Sequence, residues 1–452
     1  MIKKVVVLAV VLVALTLGSA FAFGPIGDSL WTGDATNVYV NPGGTGDVLL
    51  YGYYNVRGPW QTLFSVTNTD SENGARVRLR FREAATLTGS NISGCSNGSQ
   101  EVLDFDICLS KNDVWSGRII NSDAGALLKS DDNDTAVQVC EGANCIGTFA
   151  EEFPNGQVFK SGSSNLDITA DQTKEGYFEV IAEQSMSENC GGTDEPDCTC
   201  GDLIDEGGDV ANVLMGHTYI VNLSDTTTFA YAATALADFA SGNITPSPLF
   251  GGNNPNLALD SETGTIVPVN YALTKSNLYS IYDLESNIGA KADLIVTFPT
   301  KWATHDENVT GVTGCEDINT DDIFDDPSVL VKIFDDAENA PEESCQFSPC
   351  TPGETTLPNE VNVVDLNGSH IFTSDVIVSL STGFQFGWIN IDLVNNGLQN
   401  GPNPIHETCI NEFGFLFCSE GLPAIGYAVE KFAGGKFSGL IPLQYGWEVF
   451  QD

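Results

Sequence analysis

The sequence predicts an all-β protein: two β-sandwich (immunoglobulin-like) domains with long disulfide-stapled loops. Three observations carry this. Short apolar runs with period-two alternation recur along the chain, separated by clusters of Gly, Asn, Asp, Ser and Thr. Long helical periodicity is nearly absent. Twelve cysteines follow an N-terminal leader, as in disulfide-stapled exported chains. Hydrophobic residues at 42% and aromatic residues at 10% supply a sizeable core, so the acidity of the chain does not imply disorder.

Residues 1–22 read as a signal peptide. Lys3 and Lys4 precede an apolar run at 5–17 and the small-x-small site Ala20-Phe21-Ala22. No later stretch approaches the ~18 apolar residues of a membrane helix, so the mature chain is expected to have no transmembrane segment. The net charge is −43; without Lys3 and Lys4, 16 basic residues face 61 acidic ones. Such a surface repels nucleic acid, favours solubility outside the cell and attracts divalent cations. The expected location is extracellular or at the cell surface.

Residues 23–46 form a Gly- and Asn-rich arm, either flexible or an edge strand able to pair with a neighbouring copy. Residues 47–240 are the first β domain. The Pro- and Gly-rich stretch within 241–262 is the linker, and 263–452 the second domain.

The most distinctive stretch is 75–83. Arg76, Arg78, Arg80 and Arg82 alternate with Val77, Leu79 and Phe81, so four of the six arginines share one face of a strand. That alternation predicts one buried and one wet face. Residues 101–109 alternate likewise, with Asp104, Asp106 and Cys108 opposite Leu103, Phe105 and Ile107. This strand is the natural antiparallel partner. Two readings follow. The stripe is an exposed internal charge ladder, each cross-strand pair worth about 0.2–1 kcal/mol. Alternatively it is a docking stripe for an acidic partner, such as another copy of the chain or another surface protein.

The plausible local disulfides are Cys95–Cys108, Cys140–Cys145 and Cys409–Cys418, although spacing does not fix connectivity. Zinc at Cys198-Thr-Cys200 is the sharper alternative, but the spacing is irregular and no histidine is close. Calcium is the more credible ligand. Asp317, Asn319, Asp321 and Asp325 stand at positions 1, 3, 5 and 9 of an EF-like loop, although Asp322 and Ser328 replace its Gly and Glu. Residues 131–134 form a second acidic knot. His217, His305, His370 and His406 are isolated, and no catalytic signature is present. A structural or adhesive surface protein is the first expectation. A carbohydrate-binding module or glycan-active enzyme is the second, with Trp60, Trp302 or Trp388 lining a groove.

Several blocks carry a resemblance. They are residues 49–56 (Leu-Leu-Tyr-Gly-Tyr-Tyr-Asn-Val), 62–69 (Thr-Leu-Phe-Ser-Val-Thr-Asn-Thr), 77–83 (Val-Arg-Leu-Arg-Phe-Arg-Glu), 101–110, 113–117 and 293–301. On these the chain resembles uncharacterised secreted, cell-surface β-rich proteins of Gram-negative bacteria, departing from them in a longer cysteine-bearing loop at 84–100. The resemblance implies compartment and fold and carries no established activity.

Overall fold

The computed structural model describes residues 38–84, 99, 101–138, 146–159, 169–186, 212–239, 266–299, 328–336, 353–357, 359–373, 376–380, 384–394, 407–412, 415–433, 437–446 and 449–451. Of the described residues 62% are strand and 6% helix, arranged in several antiparallel sheets. It is all-β.

The first sheet runs from edge to edge as β1 (Tyr39–Val40), β14 (Thr234–Ala237), β2 (Val48–Asn55), β11 (Glu175–Met186), β4 (Gly74–Glu83), β5 (Glu101–Leu109), β8 (Ala136–Gln138) and β9 (Ile146–Thr148). The second is β10 (Gln157–Val158), β7 (Gly125–Lys129), β6 (Val114–Ser122), β3 (Trp60–Asn68), β12 (Leu214–Asn222) and β13 (Thr228–Ala232). In the second half an outer sheet runs β19 (Gly353–Thr356), β18 (Ser328–Asp335), β22 (Phe386–Asp392), β16 (Asn277–Asp283) and β28 (Gln444–Gly446). An inner sheet runs β21 (Val376–Val378), β20 (Val361–Leu366), β17 (Lys291–Thr297), β26 (Ile425–Phe432) and β27 (Phe437–Pro442). Two small sheets pair β15 (Thr274–Lys275) with β25 (Leu422–Pro423), and β23 (Glu407–Glu412) with β24 (Phe415–Glu420) and β29 (Val449–Gln451).

The first two sheets face each other across an aromatic core. Phe178 of β11 stacks on Tyr51 of β2 at 4.2 Å and meets Phe64 of β3 at 4.6 Å. Trp115 is fully buried between Phe105 and Phe149. The second sheet keeps a solvated outer face, and β3, β6 and β12 alternate buried with exposed residues as a half-buried strand should. The described part of the arm is an edge strand of its own chain: β1 pairs with β14.

Among the described residues the sheets of the two halves do not mix strands, but their cores merge. β17 and β20 lose the alternation because both faces are covered. Leu294, Val296 and Val364 turn toward the outer sheet's core, while Ile295, Val361 and Val363 join the core of the first half. Gly52 of β2 marks the closest approach: a Cβ there would lie 2.9 Å from the Tyr427 ring, and Thr297 Oγ1 donates to the Gly52 carbonyl at 2.6 Å. Phe372 is the knob of the joint. Its ring sits 4.8 Å from Trp60, 5.2 Å from Tyr53 and 5.6 Å from Phe229. Asp293 holds it there by accepting the Ile371 and Phe372 N–H groups, each at 3.0 Å.

Phe372→Ala should therefore cost about 3–5 kcal/mol in urea unfolding. Leu63→Ala, on the solvated face, should stay within about 0.5 kcal/mol. Equal effects would contradict the joint.

Candidate functional site: a buried guanidinium row

The strand that carries the four arginines lies inside its sheet, between β11 and β5. Arg76, Arg78, Arg80 and Arg82 are only 4%, 2%, 2% and 4% exposed. The expected wet face is therefore corrected: both faces of β4 are buried. Period two shows that two faces differ in chemistry, and it does not show that the polar one meets water. Burial also removes the stripe as a docking surface on the folded chain.

The register does bring the aspartates to the arginines. Arg78 lies opposite Asp106 and Arg80 opposite Asp104. Arg78 reaches Asp106 straight across at 3.6 Å, but the shortest ion pairs run diagonally, because long side chains reach the next rung. Arg76 pairs with Asp106, Arg78 with Asp104, and Arg80 with Glu101 at 2.8 Å. A β-bulge between Phe81 and Arg82 makes the last pair possible. It skips Val102 and sets Glu101 opposite Arg82, on the charged side, where strict alternation would set Val102.

The other flank comes from β11. Glu179 lies 3.2 Å from Arg80 and 3.8 Å from Arg82. Glu183 lies 3.0 Å from Arg76 and 3.8 Å from Arg78, at a second bulge between Ala182 and Gln184. Reasoning from sequence missed both glutamates. Their signal was the spacing Glu175, Tyr177, Glu179, Ile181, Glu183, an acidic stripe that complements the basic one about a hundred residues earlier. At the Arg82 end the second half closes over this face. Tyr177 donates to Glu360 and to the Pro299 carbonyl, and Glu360 accepts the Ser99 N–H at 2.8 Å.

Four guanidiniums thus form ion pairs with five carboxyl groups, and burial decides their protonation. Burial first, then the Asp106 charge, pushes Glu183 up to about 8, with Arg76 and Arg78 pulling the other way. A protonated Glu183 leaves four negative charges against four positive ones at neutral pH. Burial also raises Glu179 and Asp106 against the pull of the arginines. Burial opposes the Arg80 charge, but Glu101 and Glu179 lift the group above its ordinary value.

A second buried carboxyl cluster sits in the inner sheet. Asp293 and Asp365 are directly opposed, and the Ser369 hydroxyl lies between them. Burial pushes Asp293 up to about 6. His370 Nδ1 lies 2.6 Å from Asp365. Ser369 turns to carboxylates and to the Ala292 carbonyl, which is not the nucleophile–base contact of a hydrolytic triad. The cluster is a staple for the turn that presents Phe372.

The remaining candidates divide. Cys108 is buried on the charged side of β5 and is not a free thiol. Cys409 and Cys418 are Cα partners on β23 and β24. Cys95, Cys140 and Cys145 lie outside the described residues, as do Asp317, Asn319, Asp321 and Asp325, the Cys198-Thr-Cys200 motif, Trp302, His305, His406 and residues 1–22. Among the described residues no group of three or more His, Cys, Asp or Glu could hold a metal ion, and no helix is long and apolar enough to cross a membrane. His217 is exposed on the solvated sheet. Trp60 is buried in the core, whereas Trp388 is 39% exposed.

Fold and row together define an all-β protein built around a buried ion-pair ladder. Comparison with protein-family models, curated proteins and solved structures finds no match.

The ladder yields two predictions. Removing one partner strands a buried charge, so Arg78→Ala should cost about 3–5 kcal/mol, against about 0.5 kcal/mol or less for exposed Arg118→Ala. The folded state also holds an extra proton on Glu183 between its unfolded value of 4.5 and about 8. That contribution to stability is complete below the lower value and is lost as pH rises, with a slope of at most about 1.4 kcal/mol per pH unit. Urea midpoints should therefore fall from mildly acid to alkaline pH. Glu183→Gln should flatten that fall; an unchanged slope would contradict the assignment.

Proposed function

We propose that this is an exported bacterial cell-surface protein that binds or builds rather than catalyses, a structural or adhesive component able to assemble with copies of itself. The observation that carries this reading is where the charge chemistry goes. Five of the six arginines are held in internal ion pairs, four in the ladder and Arg57 with Asp171 and Glu175. The titratable clusters are spent on rigidity. The leader at 1–22, the acidity and the twelve cysteines support export. The facing sheets support an immunoglobulin-like sandwich in each half. The opposed positions of Cys409 and Cys418 suit a cross-strand disulfide. Cys108 suits a bridge to Cys95. Calcium at 317–325 remains part of the proposal on sequence grounds alone.

Protease treatment of intact cells, with N-terminal sequencing of the protein, tests the reading. Surface accessibility and a start near Phe23 are expected. A cytoplasmic protein that retains residues 1–22 would overturn it.

A further inference from the structure

The outer sheet of the second half leaves one face to solvent, and its central row is apolar. Ile281 of β16 lies opposite Trp388 of β22, which lies opposite Phe334 of β18. Ile281 is 53% exposed, Trp388 39%, and Phe386, two residues along from Trp388, 42%. The indole is fixed in place. Phe334 stacks on it at 4.5 Å with 16° between the ring planes, so its other face turns toward β16, where Tyr279 stands 6.4 Å away.

The next row is polar and largely neutral. Gln444, Tyr279 and Asn390 occupy adjacent strands there. Lys332 completes the row, with its charge taken up by Asp392 at 2.8 Å. Asn390 is 8% exposed, and its Oδ1 has no hydrogen-bond partner. A buried acceptor in that state calls for a donor.

We infer that this face is a carbohydrate-binding site, with Trp388 as the stacking residue and the Asn390 row as its hydroxyl-recognising edge, and that its ligand is a neutral polysaccharide. A pyranose ring has an apolar C–H face for the indole and a rim of hydroxyls for the amides and the phenol. The other occupants fit less well. A second copy carries the same net charge of −43, and the apolar row is three side chains wide where a stable interface uses about 20–30 residues a side. An acidic polymer meets the same repulsion. The row on the other side of Trp388 carries Asp283, opposite Phe386, so the salt arm of the test separates a cationic partner: it would lose its hold in high salt, whereas a neutral glycan would not. The inference rests on the binding reading above, but not on where in the cell the protein resides.

The test is affinity electrophoresis of the full mature chain in gels containing laminarin, mannan, xyloglucan or dextran, with pull-down on insoluble cellulose and chitin. Wild type should be retained by at least one of these at low and high salt. Trp388→Ala should weaken retention by at least about tenfold, and Asn390→Ala should weaken it less, with unchanged circular dichroism. Ile281→Arg, at the most exposed position of the row, repeats the block should Trp388→Ala fold poorly. Tyr219→Ala, exposed on the first half, should bind as wild type. Retention by none of the six polysaccharides would overturn the inference. So would full retention of Ile281→Arg and Trp388→Ala, loss of retention in high salt, or a dimer that Trp388→Ala dissolves. A surface-located protein that binds none of them would sink this inference and leave the proposed location standing.

Discussion

Four guanidiniums on one buried face of one strand set the terms for the rest of the structure. A guanidinium does not lose its proton at any accessible pH, so burial cannot neutralise it as it can a lysine or a carboxyl group. The surrounding chain must bring charge to it. β5 and β11 flank β4 with five carboxyl groups, and each flank carries a β-bulge beside the row. Bulges re-aim side chains, and one of them sets Glu101 on the charged face. The sheet has been bent to fit its electrostatics.

Such a ladder is costly to build, and apolar residues of similar volume often do as well or better. What ion pairs add here is direction. A slip of one residue in the β4–β5 register would set the arginines against Leu103 and Phe105 and place the aspartates in the aromatic core. The join between the halves is aligned in the same way. Glu360, Tyr177 and Ser99 close the row at one end, Gly52 admits Tyr427, and Phe372 fills the gap between Trp60 and Phe229. A hydrophobic joint would set affinity between the halves; the polar contacts set their alignment.

Much of this was legible in the residues. The all-β class and the β4–β5 pairing follow from alternation and composition. Burial of the polar face of β4 does not, because period two separates two faces without saying what covers either. The same blindness affects β17, where Leu294, Val296 and Phe298 read as one buried face while Ile295 is equally buried on the other. Glu179 and Glu183 were visible as a stripe, but nothing local ties them to arginines about a hundred residues away. The arm at 23–46 allowed both a free arm and an edge strand, and β14 decides for its described part. Thr228–Ala232 and Thr234–Ala237, alanine-rich and ambiguous in isolation, are strands because the two facing sheets each offer them an edge.

Burial of the row is the constraint the rest of the structure depends on, and arginine chemistry reads it directly. Native protein treated briefly with phenylglyoxal and mapped by mass spectrometry should carry the label on exposed Arg118, with Arg76, Arg78, Arg80 and Arg82 protected until the protein unfolds. Labelling of the four row arginines as fast as Arg118 in the folded protein would contradict it.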